Sequence, residues 1–120
     1  MIIVYGIKNC DTVKKALKWL AAAGIDHRFH DFRKDGLTRD QLSGWLDELG
    51  GDALLNRRGT TWRKLPDDQK ENLSDGDICD LLLAHPAMIK RPLFDFGDFR
   101  RVGFASKDQA EIAALLGVAA

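Results

Sequence analysis

The feature that most constrains this chain is its first twenty residues, MIIVYGIKNCDTVKKALKWL. Met1–Tyr5 is a continuous apolar run. Such a run fits a strand covered on both faces by helices, as in a parallel sheet. Gly6–Asn9 then breaks the pattern. From Asp11 onward the apolar positions are Val13, Ala16, Leu17, Leu20 and Ala21. They are spaced three and four apart, like the inner stripe of a helix. Cys10 stands at the joint between the two elements. A thiol there faces the unpaired N–H groups and the positive dipole end of the helix. Cysteines so placed have pKa values lowered to roughly 3.5–7.5, which favours the nucleophilic thiolate. Cys10 is therefore the candidate nucleophile. Its polar neighbours Asn9, Asp11 and Thr12 argue against burial in the core. Asp11 acts in the other sense, because a carboxylate turned toward the sulfur raises its pKa. Thr12 can donate a hydrogen bond to the sulfur.

A chain of 120 residues is read as one domain, residues 1–120, long enough to build a core. Its 18 Lys and Arg balance its 18 Asp and Glu. Zero net charge supplies no general attraction to nucleic acid or anionic membranes, so neither is an expected partner. No apolar run approaches the roughly 20 residues of a membrane span, and no basic-then-apolar leader opens the chain. The expected location is the cytoplasm. Two cysteines, Cys10 and Cys79, are too few for a disulfide scaffold and fit a reducing compartment.

The first helix is expected from about Asp11 to Ala23, with Gly24 as its stop. Ile25–Phe32 reads as a second strand and Arg33–Leu37 as a turn. Thr38-x-x-Gln41 matches a capping box, and the helix it opens carries Leu42, Trp45, Leu46 and Leu49 before Gly50–Gly51. Strand, helix, strand, helix predicts a right-handed parallel unit. Residues 52–84 then hold short helical pieces and no strand: Ala53–Leu55, Thr61–Leu65, Asp67–Glu71 and a clearer helix after the Ser74 cap. This stretch is read as a helical insertion. Ala87–Phe96 returns to extended character, with Pro92 at a strand start or edge. Gly97–Asp98 is the turn of a hairpin whose return strand is Phe99–Phe104. Ser106-x-x-Gln109 reads as a capping box for the final helix.

Other candidate residues weigh less. Arg91 precedes a proline, so its backbone is extended. Its guanidinium offers charge to a thiolate and a bidentate fork to an anion. Arg57, Arg58 and Arg63 cluster around Trp62 in the sequence; Arg57 and Arg63 are equally well read as solvated. Cys79 lies in an apolar run and is assigned to the core, although its distance in sequence does not bar it from resolving an adduct. His27 and His30 fall on opposite faces of a strand, and His85 is read as a helix-end residue. No metal site is assigned.

The element order, the cysteine loop, the helical insertion and Arg91-Pro92 together resemble the arsenate reductase-like family of ArsC, Spx and YffB proteins. The run Leu54–Leu65, LLNRRGTTWRKL, is most similar to the YffB branch. The resemblance covers nearly the whole chain. It implies an α/β, thioredoxin-like fold: a mixed four-stranded sheet with the helical insertion between a βαβ half and a C-terminal ββα half. It implies that Cys10 is the redox thiol, that Pro92 is a cis-proline facing it, and that Arg58 and Arg91 line an anion site. Asn9 and Thr12 complete the expected substrate or glutathione-binding set. Two departures narrow the activity. A third arginine of the arsenate reductases is replaced by Phe104. A Cys-x-x-Cys partner is absent, because Val13 holds the fourth position. The expected function is glutathione-dependent thiol–disulfide exchange by one cysteine. Glutathione is the co-substrate, no cofactor is tightly bound, and the substrate is a small or protein disulfide or an oxyanion. The expected state is a monomer. The alternatives are an Spx-like protein-interaction module acting on transcription, and arsenate reduction, which Phe104 disfavours.

Overall fold

The computed structural model describes residues 1–119. The N-terminal apolar run forms strand β1 (Ile2–Gly6), and helix α1 (Asp11–Ala22) follows it. α1 ends at Ala23, where Gly24 takes φ +70°. The Ile25 N–H is still bound to the Leu20 carbonyl at 3.0 Å. Strand β2 therefore begins later than its composition suggests, at His27, and ends at Asp31. The α1 crossover makes β1 and β2 parallel.

The chain divides into two compact units, Met1–Asp31 with the residues from Arg91 on, and Phe32–Lys90. The first holds the whole sheet. Strand β3 (Leu93–Asp95) pairs antiparallel with β1, and β4 (Arg100–Val102) pairs antiparallel with β3. The strand order is β2-β1-β3-β4, the mixed four-stranded α/β sheet expected. The hairpin turns at Gly97, whose φ of +96° suits only glycine at low cost. The Asp95 carboxylate accepts from the Gly97 N–H at 2.8 Å. Helix α6 (Ser106–Leu116) closes the unit. Ile2, Val4 and Phe94 from the sheet pack with Ala16 and Leu20 of α1, Ile112 of α6, and Phe104.

The second unit is helical. Helix α2 (Arg39–Leu49) starts at a complete Thr38–Gln41 capping box. Gly50, at φ +86°, ends it, and Gly51 already begins α3 (Gly51–Leu54). Helices α4 (Thr60–Arg63) and α5 (Asp75–Ala84) follow, with a short 3-10 turn at Asp67–Gln69 between them. α5 is opened by Ser74 and Asp77, each side chain bonding the other's N–H at 3.1 Å. Leu42, Trp45, Leu46, Leu54, Ile78 and Leu82 are buried. This unit begins at Phe32 and so takes in α2 as well as residues 52–84.

Two local expectations are corrected. Residues 87–88 are not extended: Pro86–Met88 is a 3-10 turn in which the Met88 N–H reaches the His85 carbonyl at 2.9 Å. Residues 52–84 hold no strand, as expected, and Leu55 makes an isolated bridge to Ile89. Ser106 does not cap α6. Ala105 is the N-cap, and the Asp108 carboxylate accepts from the Ala105 N–H at 3.0 Å. Arg101 of β4 pairs with Asp108 at 2.9 Å and also with Glu111, which fixes that start from the sheet.

Candidate active site

The site begins where β1 ends. A Cβ on Gly6 would stand 2.7 Å from the Val13 Cγ2 atom, so only glycine lets the strand end run this close to α1. Ile7 is buried, and its carbonyl accepts from the Cys10 N–H at 3.2 Å. The Lys8 N–H donates to the Asp31 carboxylate at 3.3 Å, which ties the loop to the end of β2. Cys10 is the N-cap of α1, with extended backbone at φ −97° and ψ 123°. Its carbonyl accepts the Lys14 N–H at 3.0 Å.

The half-buried Cys10 side chain makes no short capping bond, yet its surroundings favour the thiolate. Burial is the largest single influence and pushes the pKa up. The Val13 N–H, the hydrogen bond and charge of the Arg91 guanidinium, and the Thr12 N–H outweigh it together. The thiol ends below its ordinary value. Thr12 contributes through its backbone. Asp11 is exposed, and its charge is not among the influences on the sulfur. Asn9 is exposed in the turn before the thiol.

Arg91 reaches the sulfur because of sheet register. Leu93 of β3 lies opposite Tyr5 of β1, so β3 starts beside the end of β1 from which the cysteine loop departs. The Arg91–Pro92 peptide bond is cis. Pro92 is buried, and its carbonyl accepts the Gly103 N–H at 2.9 Å. The sheet thus gathers Cys10, Thr12, Arg91 and Pro92 within the first unit. Val13, whose N–H faces the sulfur, was placed by sequence on the apolar stripe of α1 and given no part in activating the thiol. Its position three residues past a capping residue is the signal that marks it.

Phe104 stands where the resemblance implies an arginine. It is only 8% exposed and packs on Phe94 and Trp19, with ring centroids 6.0 and 5.7 Å away. Arg58 belongs to the second unit and is exposed. Nearby, Arg57 pairs with Asp52 at 2.9 Å and lies over the Trp62 ring, 5.6 Å from its centroid. Cys79 is buried in α5, and burial pushes its thiol up. The His27 ring lies 2.8 Å from the Ile25 carbonyl, and His30 packs on Tyr5. His85 caps the end of α5. No group of three His, Cys, Asp or Glu among the described residues could hold a metal. No described helix is long and apolar enough to cross a membrane.

A thiol activated at a strand–helix joint, beside an arginine and a proline that open the next strand, defines a thiol-oxidoreductase type of fold. The chain belongs to the ArsC family, whose model matches residues 5–112. It is 46% identical over 108 residues to an uncharacterized protein of Haemophilus influenzae, covering 90% of this chain and 95% of that one. It is 29% identical over 118 residues to the global transcriptional regulator Spx of Streptococcus pyogenes, covering 97% of this chain and 85% of the regulator. The solved structure of a YffB protein superposes with a TM-score of 0.85 at 42% identity, covering 92% of this chain and 97% of that one. Its neighbours by structure share the thioredoxin-like arrangement.

Proposed function

We propose that this protein is a glutathione-dependent thiol–disulfide oxidoreductase with Cys10 as its only nucleophile. One observation carries the reading: the Val13 and Thr12 N–H groups and Arg91 converge on the Cys10 sulfur and lower its pKa. The thiolate attacks one sulfur of a disulfide. A bond forms between Cys10 and that sulfur, the original S–S bond breaks, and the departing thiolate takes a proton from water. Glutathione then attacks the mixed disulfide, frees Cys10 and leaves as an oxidised adduct. One thiol enters and one leaves while the disulfide passes from substrate to glutathione, so the cycle needs no tightly bound cofactor. Arg91 stabilises the attacking thiolate by charge. Thr12, Asn9 and Pro92 form the walls beside it. Arg58 is assigned to anion binding through its exposed guanidinium, with the carboxylates of glutathione as its ligand.

Turnover of bis(2-hydroxyethyl) disulfide with glutathione tests this. Cys10→Ser should fall to background, whereas Cys79→Ala should keep turnover. Full turnover by Cys10→Ser would overturn the mechanism. Arg58→Ala should raise KM for glutathione roughly three- to tenfold with kcat little changed, the scale of an exposed ion pair.

The 29% identity to Spx favours a second reading, a protein-binding module that acts on transcription. Stoichiometric recovery of RNA polymerase on immobilised protein, combined with no disulfide turnover, would select it. Arsenate reduction finds less support, because Phe104 is committed to the core.

A further inference from the structure

A groove of about 720 Å³ runs along α1 from Thr12 to Ala22. Lys15, Lys18 and Trp19 line it from the helix, and Phe104, Ser106 and Gln109 line the other side. It begins two residues from the thiol, at Thr12, whose N–H faces the Cys10 sulfur. Thr12 and Ala22 are ten residues apart on the helix, about 15 Å along its axis. That length matches four to five residues of extended chain at about 3.3 Å each. Trp19 and Phe104, with centroids 5.7 Å apart, give it an aromatic floor. Lys15 and Lys18 are exposed, and neither has an ion-pair partner among the described residues. The Ser106 hydroxyl and the Gln109 amide can bond a peptide backbone, since each both donates and accepts.

We propose that this groove seats an extended acidic peptide, the segment flanking the cysteine whose disulfide Cys10 attacks. The proposal rests on the exchange chemistry above and adds the class of substrate. The peptide's disulfide sulfur lies at the Thr12 end. Its carboxylates meet Lys15 and Lys18, and an apolar side chain covers Trp19. Lys18 is eight residues beyond Cys10, about 12 Å along the helix, so its partner carboxylate stands about four residues from the reacting cysteine. Attack forms the bond between Cys10 and one substrate sulfur and breaks the S–S bond. The departing thiolate takes a proton from water, and a low-molecular-weight thiol resolves the adduct.

Synthetic nonapeptides with a central cysteine, joined through a disulfide to 2-mercaptoethanol, test the proposal in the Cys79→Ala protein. Glutamate, lysine or serine is placed either next to the cysteine or at the ends of the peptide. Each exchange rate is divided by the rate with neutral bis(2-hydroxyethyl) disulfide, so any change in the thiol itself cancels. The expected result is a roughly three- to tenfold advantage of terminal glutamate over terminal lysine, shrinking with added salt. Lys15→Glu with Lys18→Glu should reverse that order. Equal rates for all peptides, with normal reaction of the neutral disulfide, would overturn the groove assignment alone. An advantage confined to glutamate beside the cysteine would overturn it in favour of a small anionic thiol. No reaction with any disulfide would remove the exchange reading and this inference together.

Discussion

At Cys10, burial opposes ionisation, and three donors reverse the outcome. Arg91 is the one a substitution can remove. Arg91→Ala should move the midpoint of Cys10 alkylation up toward the ordinary thiol value. Arg91→Lys, which keeps the charge but loses the planar fork, should move it less. Cys79 behaves oppositely, since burial holds its thiol above the ordinary value. Iodoacetamide at neutral pH should therefore label the native protein at Cys10 first, as peptide mass mapping would report. A thiol whose pKa rises on folding stabilises the fold below its unfolded value and loses that contribution as pH rises through the folded one. Denaturant titrations should show an alkaline loss of stability for the wild type that Cys79→Ala reduces. The lowered pKa of Cys10 has the reverse sign: its contribution is present above the unfolded value and fades as pH falls through the folded one.

Among the elements, the β1–α1 joint depends on Gly6. Gly6→Ala would drive its Cβ into Val13, whose branched side chain has little rotamer freedom in a helix. Urea denaturation should register a loss of about 1–3 kcal/mol with the m-value unchanged. Thr38→Ala and Ser74→Ala should each cost about 1 kcal/mol, because each side chain satisfies an N–H of its helix start. These two caps were legible in sequence because a capping box lies within four residues. The start of α6 was not. Ala105 carries no acceptor, and Asp108 holds its N–H while paired with Arg101 from a strand, an arrangement no local pattern contains. Strands β2, β3 and β4 proved shorter than the stretches expected for them for a similar reason. Tyr5 and Leu93 are matched by register across most of the chain, and the run around each does not say where pairing stops.

On the scale of the molecule, the sheet is completed by a segment that begins at Leu93, far along the chain from the start of β1 at Ile2, and Phe94 joins the core with Val4 and Leu20. Phe94→Ala should destabilise by about 3–5 kcal/mol, seen as a lower denaturation midpoint. The parallel β1–α1–β2 unit was readable from its local rhythm. The attachment of β3 to β1 entered through the resemblance, since nothing near Pro92 names its partner strand. The same limit applies to the site. Cys10 announced itself by position, Arg91 required the sheet register, and the groove beside Lys15 and Lys18 required the packing of Phe104. The most direct test of the account is the pH dependence of Cys10 alkylation by iodoacetamide in the Cys79→Ala protein, with and without glutathione. The apparent pKa should lie below the ordinary value of about 8.5, and alkylation should slow when glutathione is present. A pKa at or above that value, with no protection by glutathione, would contradict it.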